Sequence, residues 1–194
     1  METRLNEVAR RIKEIREILG YTPEQMAEAL ETTAEEYLEC ETGKKDFSFM
    51  FLYRCADKFR VDIIELMTGE GPHLTGYNVV RGGKGLLMRR DHGFDYMHLA
   101  ADFRKKKAEP FLVRAPYHEE EQHKHIEMSA HEGQEFDYIL EGTMHFAFED
   151  HIKVLEAGDS VYYDSGRPHG ILATGGKDCV FLAIVVRGEE EKEK

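Results

Sequence analysis

Three side chains in the second half of the chain have types and spacing suited to binding one metal ion. His131 and Glu135 are separated by three residues, and His169 closes a run that begins with Gly158-Asp159. Two imidazoles and one carboxylate suit a divalent transition metal that keeps open coordination positions. Fe, Zn, Mn and Ni all accept these donors, and the order of affinities alone does not choose among them. The sequence therefore predicts a divalent metal site of unspecified metal identity.

The residues around these ligands resemble the two motifs of the cupin superfamily. Residues 131–142 read His-Glu-Gly-Gln-Glu-Phe-Asp-Tyr-Ile-Leu-Glu-Gly, and residues 158–169 read Gly-Asp-Ser-Val-Tyr-Tyr-Asp-Ser-Gly-Arg-Pro-His. The resemblance implies a small β-barrel that brings His131, Glu135 and His169 together. The usual first motif begins His-x-His, and Ser129 stands at its first histidine position. A second His-x-His pair, His123 and His125, is out of register with Glu135 and is expected in an exposed loop.

A ligand pocket is predicted beside this site. Side chains alternate along a strand, so Asp137 and Ile139 should share the inward face with Glu135. Tyr96 could line the barrel mouth, and His98 faces either the pocket or solvent. Only one of the neighbours Tyr162 and Tyr163 should point inward, and the predicted pocket includes Tyr162.

Composition limits the class of protein. The chain has 194 residues, a formal net charge of −12 and 41% hydrophobic residues, which is enough for one large or two small globular domains. The longest apolar run lies near residues 181–186 and is too short to span a membrane, and the charged N-terminus does not resemble a signal peptide. Three scattered cysteines fit reduced thiols better than disulfides. We therefore expect a cytoplasmic protein without a membrane partner.

The first seventy residues carry the signals of five short helices. Apolar residues spaced by three and four predict the first helix over residues 4–19, which Gly20 ends. Thr22 before Pro23 predicts the N-cap of the second helix, and Thr33 with a glutamate three residues later predicts a capping box for the third. The fourth and fifth helices are predicted over residues 48–59 and 62–67.

This helical region resembles the DNA-binding domains of phage repressors and Cro, known as XRE domains. The resemblance rests on residues 31–44, which match the recognition segment, and on residues 61–69, which match the closing helix. It implies that the start of the third helix reads DNA bases. The residues so assigned are Thr33, Ala34, Glu35, Glu36 and Glu39, and Lys44 and Lys45 after the helix are candidate phosphate contacts. Residues 1–70 hold 10 basic against 16 acidic residues, so we expect DNA binding to be weak or highly selective.

Beyond a linker at residues 70–76, short β-rich runs separated by turn residues predict an antiparallel barrel or jelly roll. The runs are residues 77–80, 86–89, 96–99, 135–140, 144–148, 160–163 and 180–186. The predicted fold is a two-domain chain: an all-α helix-turn-helix domain over residues 1–69, then an all-β cupin barrel over residues 77–187. An acidic tail over residues 188–194 is expected to be disordered.

Two functions are compatible with this plan. An XRE-like domain followed by one cupin resembles a class of transcriptional regulators, which implies a homodimer on DNA whose cupin senses a small molecule. The same plan resembles the hydroxypropylphosphonic acid epoxidases, which are mononuclear non-haem iron enzymes, with His131, Glu135 and His169 as the iron ligands. Gly20 stands where those enzymes place a substrate-binding lysine, and Met128 where they place an asparagine. The regulator is therefore the primary interpretation, and epoxidation of that substrate is not expected.

Overall fold

The computed structural model describes residues 2–71, 74–89 and 93–188. The chain divides into two compact units, the first comprising residues up to Gly76 and the second beginning at Tyr77. The first unit is helical and the second is built from strands, so the predicted fold class is confirmed. The predicted disordered tail lies, apart from Gly188, outside the described residues.

The described residues of the helical unit form five α-helices in the predicted order. Their bounds are α1 Glu2–Ile18, α2 Pro23–Ala29, α3 Ala34–Glu41, α4 Phe49–Phe59 and α5 Ile63–Thr68. Thr22 and Thr33 each accept a hydrogen bond from the backbone three residues on, in the two-way arrangement of a capping box. Ser48 and Asp62 cap α4 and α5 with their side chains. Local capping chemistry therefore sets where α2 to α5 begin.

An apolar core and one buried ion pair hold this unit together. Its fully buried side chains include Ile12, Met26, Leu52 and Leu66, one from each of α1, α2, α4 and α5. Arg16 of α1 donates from Nε to Oε1 of Glu41 over 2.6 Å and from Nη2 to Oε2 over 3.1 Å. The hydroxyl of Tyr37 donates to the same carboxylate over 2.9 Å. These bonds join α1 to α3, the helix predicted to read DNA.

In the part of the second unit that the structure describes, nine strands form two antiparallel sheets. Their bounds are β1 Leu86–Arg89, β2 Asp95–His98, β3 Ala108–Ala115, β4 Gln134–Glu141, β5 Thr143–Phe148, β6 His151–Glu156, β7 Ser160–Asp164, β8 His169–Thr174 and β9 Cys179–Val186. The larger sheet has the order β1-β2-β3-β9-β4-β7, and the smaller has the order β6-β5-β8. Tyr163 of β7 packs on Phe146 of β5 with ring centroids 4.9 Å apart, which joins the sheets around a shared core.

One strand prediction is wrong, and three strands are missing from the predicted runs. Residues 77–80 form no strand, although their composition is typical of one. The strands β3, β6 and β8 were not predicted. β3 buries every second residue but contains Glu109 and Pro110, β6 is exposed at almost every position, and β8 begins with His169-Gly170, so the composition of each is unlike that of a typical strand.

Candidate metal centre

Glu135 lies on the inward face of β4, between β9 and the edge strand β7 of the larger sheet. Side chains along β4 alternate between inside and outside, and Glu135, Asp137 and Ile139 are the buried members. Glu135 is flanked by Tyr163 of β7 and Val185 of β9, its register partners on either side. The sheet therefore holds this carboxylate in the interior and away from bulk water.

His131 reaches the same place from the segment before β4. Its backbone N–H donates to the carbonyl of Ser165, which fixes the segment beside the turn that precedes His169. Gly133 between the two ligands has a φ of +110°, and a Cβ there would lie 2.0 Å from the carbonyl oxygen of Val186. Only glycine fits this close approach, so the glycine of the motif is needed to place His131 and Glu135 together.

His169 begins β8 in the smaller sheet. Its Nδ1 lies 2.9 Å from the carbonyl oxygen of Arg167, and because a carbonyl only accepts, Nδ1 carries the hydrogen. This tautomer leaves the Nε2 lone pair for a metal, the arrangement that metal-binding histidines commonly adopt. The rings of His131 and His169 stand 5.2 Å apart at 81°, so the two imidazoles converge.

The three side chains offer ligand atoms that all lie within 4.8 Å of one another, and all three residues are buried. Nε2 of His131 is 3.0 Å from Oε2 of Glu135. Two ligands at right angles, each about 2.1 Å from one ion, would be about 3.0 Å apart. The three donors and their spacing therefore fit a divalent ion. They would occupy one face of that ion and leave its other coordination positions open.

The electrostatics of the site favour the ligand forms that bind metal. Burial raises the pKa of Glu135, but its hydrogen bond to His131 and the charges of both histidines outweigh burial, so the net pKa lies below its ordinary value. Burial lowers the pKa of His169 below 6.5. Carboxylate and neutral imidazole are the forms a metal requires.

Asp137 and Tyr163 form a polar pair next to the three ligands. The Tyr163 hydroxyl donates to Oδ2 of Asp137 over 3.3 Å, and the Tyr163 ring lies 4.9 Å from that of His169. Burial first, and the charge of Glu135 second, raise the pKa of Asp137 well above its ordinary value. The prediction that Tyr162 lines the pocket is wrong. Tyr162 is 60% exposed and bonds Gln134 outside, because Tyr163 is the residue paired with Glu135.

Tyr96 and His98 lie on β2 and have different surroundings. Burial and then the charges of Glu135 and Asp137 raise the pKa of Tyr96, whose ring meets that of Phe111 edge to face at 6.2 Å. His98 is fully buried, with Nε2 2.6 Å from Glu109 and Nδ1 accepting from the backbone N–H of Ala100. Both of its nitrogens are engaged in protein contacts, so the prediction of His98 as a pocket residue needs correction.

One of the glutamates predicted to read DNA is used to cap the third helix. Thr33 is the N-cap of α3, and Glu36 folds back to accept from the backbone N–H of Thr33 and from the hydroxyl of Thr32. Glu35 and Glu39 are exposed, as are Lys44 and Lys45 just after the helix. Ala34 is half-buried. Of the five predicted base contacts, Thr33 and Glu36 therefore already have a structural role in capping.

Family models match both parts of the chain. A helix-turn-helix domain model matches residues 9–72, and a cupin domain model matches residues 117–185. The chain combines a helix-turn-helix domain with a cupin domain. The helix-turn-helix match covers α2 and α3, and the cupin match includes His131, Glu135 and His169. No curated protein sequence matches the chain significantly.

Several solved structures are similar to this chain, to different degrees. An HTH_3 family transcriptional regulator from Vibrio cholerae has a TM-score of 0.71 at 18% identity, over 97% of this chain and 99% of that one. Hydroxypropylphosphonic acid epoxidase from S. wedmorenis has a TM-score of 0.48 at 22% identity, over 95% and 100% of the two chains. The epoxidase in complex with fosfomycin also scores 0.48, at 20% identity over 93% and 98%. Among the described residues, no helix is long and apolar enough to cross a membrane.

Proposed function

We propose that this protein is a DNA-binding transcriptional regulator whose cupin domain binds a divalent metal and senses a small molecule. The observation that carries the proposal is the presence of a helix-turn-helix domain and a cupin domain on one chain. The helix-turn-helix domain supplies a recognition helix for the major groove. The cupin supplies a buried His-Glu-His cluster with open coordination positions, suited to holding a ligand.

Regulation requires that ligand binding change DNA affinity. A ligand shifts the equilibrium between two states only by its difference in affinity for them. Helix-turn-helix proteins bind as dimers to half-sites about one DNA turn apart, roughly 34 Å. We therefore propose a homodimer in which ligand binding in the cupin alters the spacing of two α3 helices or the dimer equilibrium. Light scattering measures the mass of the protein with and without DNA.

Selection from a random DNA pool tests the regulator function. We expect enrichment of a palindromic site by the full-length protein, because two symmetric recognition helices read inverted half-sites. Glu35→Ala together with Glu39→Ala is the matched variant, since both side chains are exposed on α3 and outside its capping box. A changed or lost consensus in this variant supports readout through α3. Recovery of random sequence by the wild-type protein contradicts the proposal.

Metal binding is tested by replacing the carboxylate ligand. We expect Glu135→Ala to abolish stoichiometric binding of a divalent metal without unfolding the barrel, because two histidines alone hold such ions weakly. Elemental analysis of metal-repleted protein measures the effect, and circular dichroism checks the fold. Glu132→Ala is the control, since Glu132 belongs to the same motif but is exposed. Equal metal content in wild type and Glu135→Ala would remove the proposed site.

A non-haem iron oxidoreductase is the second candidate function. Two histidines and one carboxylate on one side of an ion are typical of Fe(II) oxygenases, because open positions admit a substrate and oxygen. Bound Fe(II) would supply the redox chemistry, while Glu135, His131 and His169 would hold the ion. Fe(II)-dependent consumption of oxygen or peroxide that Glu135→Ala abolishes would favour this candidate. Palindrome selection without such consumption favours the regulator.

A further inference from the structure

The outward face of the larger sheet is apolar where an antiparallel sheet usually presents polar residues. Such sheets commonly bury one face in the core and alternate with polar side chains on the face that meets water. In β4 this order is partly reversed, because the inward side chains include Glu135 and Asp137 while the outward ones include Phe136 and Tyr138. Tyr138 is 40% exposed, and Tyr162 on the next strand is 60% exposed. The outward face therefore has the composition of a surface that is normally buried.

Strand pairing brings six of these outward side chains together. We call them the outer apolar face: Leu112, Leu182 and Tyr138 in one row, and Ile184, Phe136 and Tyr162 in the next. Side chains directly opposite on paired strands are neighbours about 5 Å apart, so the rows form one continuous patch across β3, β9, β4 and β7. None of the six is buried within the described chain.

Charge on this sheet is confined to its margins. The six residues of the outer apolar face carry no formal charge at neutral pH, although the chain as a whole carries −12. The charged outward residues Asp95, Arg114 and Asp164 lie at strand ends or next to them. An apolar centre with a polar rim is the anatomy of a protein–protein interface. Two copies can therefore meet at this face without bringing their negative charges into the centre of the contact.

The size of the sheet also suits a dimer. Strands about 4.8 Å apart that rise about 3.3 Å per residue give the outward side of the six-stranded sheet roughly 600 Å². Two such sides in contact would bury about 1,200 Å² in total, which is the lower end of the range for stable specific interfaces. Monomeric proteins rarely leave a contiguous apolar patch larger than a few hundred Å² in water.

We propose that two copies of this chain stack their larger sheets on each other through the outer apolar face. A two-fold interface uses the same patch on both copies, so a self-complementary apolar face without central charge fits it. The inference rests on the proposed homodimer and assigns the surface that holds the two cupin domains together. β4 supplies Glu135 to the metal centre on one side and Phe136 and Tyr138 to this contact on the other, so one strand separates the two sites.

Sedimentation velocity of the full-length protein at several concentrations measures the dimer dissociation constant. Tyr138→Lys places a charge from each copy in the contact and should raise that constant by at least about tenfold. Ile152→Lys is the matched control, because Ile152 is 60% exposed on β6 in the smaller sheet and gains the same charge. Circular dichroism checks that both variants fold. The inference is overturned if Tyr138→Lys dimerises as tightly as the wild-type protein, or no more weakly than Ile152→Lys.

Hydroxyl-radical footprinting tests the same face in the wild-type protein and needs no variant. We expect Tyr138 and Tyr162 to be labelled several-fold less in the dimer than in protein diluted below the dissociation constant, because the contact removes both from water. His151 on β6, whose side chain is 74% exposed, is the control and should be labelled equally in both. Equal labelling of the two tyrosines in dimer and monomer overturns the inference.

Sedimentation of the wild-type protein separates failure of this inference from failure of the proposed homodimer. A protein that stays monomeric up to about 100 μM contradicts the homodimer, and the inference falls with it. A wild-type dimer that Tyr138→Lys leaves intact keeps the homodimer and rejects only the outer apolar face as its contact.

Discussion

At the scale of single residues, the metal centre depends on which atoms carry protons. The bond between Nδ1 of His169 and the Arg167 carbonyl keeps Nε2 unprotonated in the neutral ring. Nε2 of His131 faces Oε2 of Glu135 at 3.0 Å, so an entering ion takes the place of the hydrogen bond between them. Metal binding should therefore compete with protonation of the ligands as the pH falls.

This linkage predicts how metal affinity depends on pH. Burial lowers the pKa of His169 below 6.5, so the folded protein keeps this ring neutral in a range where an exposed histidine becomes charged. Metal affinity should weaken only below that range, by at least about tenfold per pH unit once His169 is protonated. Mn(II) titrations followed by paramagnetic resonance between about pH 8 and about pH 5 measure the dependence.

The same lowered pKa has a consequence for the metal-free protein. Below about pH 6.5 the unfolded chain binds a proton at His169 that the folded chain does not, so His169 lowers the free energy of unfolding as the pH falls toward the folded pKa.

The Mn(II) titrations can also contradict the assignment of His169 as a neutral ligand. A loss of metal affinity already between about pH 8 and about pH 7 would do so.

At the scale of elements, the sequence predicts the helix caps correctly but does not predict several of the strands. Thr22 and Thr33 predict the starts of α2 and α3 because a hydroxyl and the side chain three residues on act within one turn. The inward position of Asp137 also follows from local alternation. The choice of Tyr163 over Tyr162 does not, because it depends on the pairing of β4 with β7, which lies more than twenty residues away in sequence.

The pairing of α1 with α3 is likewise a long-range feature. Arg16 and Glu41 lie twenty-five residues apart, and each alone is an ordinary charged helix residue in the sequence. Together they are almost fully buried, with side-chain exposures of 10% and 3%. Their hydrogen bond is the largest cause that raises the pKa of Arg16, which therefore stays charged. Sequence patterns treat such residues as exposed, and only the packed structure reveals the pair.

Removing Glu41 should destabilise the helical unit strongly. Glu41→Ala leaves the Arg16 charge buried without its partner, which costs about 3 to 5 kcal/mol in comparable pairs. Glu17→Ala is the matched control, because Glu17 contacts the same arginine at 3.5 Å but is 56% exposed, and should cost at most about 1 kcal/mol. Urea unfolding followed by the helical circular dichroism signal compares the variants. Similar losses in both would show that burial of the pair is unimportant.

At the scale of the whole molecule, the negative net charge opposes DNA binding. The chain carries −12, and the α3 surface presents Glu35 and Glu39 to solvent. Phosphate contacts supply most nonspecific affinity, and each contributes to the salt dependence of binding. Of the basic residues in the helical unit, Arg11 and Arg54 donate to the carbonyls of Leu66 and Leu30. Lys44 and Lys45, exposed after α3, are better placed for phosphates.

The salt dependence of DNA binding should therefore be shallow and should depend on these two lysines. Replacing both Lys44 and Lys45 with Gln should weaken binding of every DNA sequence alike and reduce the slope of log K against log salt by about 2 per protomer. Lys153→Gln and Lys177→Gln, exposed in the cupin, form the charge-matched control and should leave the slope unchanged. Binding isotherms on the selected operator at several salt concentrations measure the slopes. A slope that drops equally in both double variants would mean that overall charge governs DNA binding, and not contacts made beside α3.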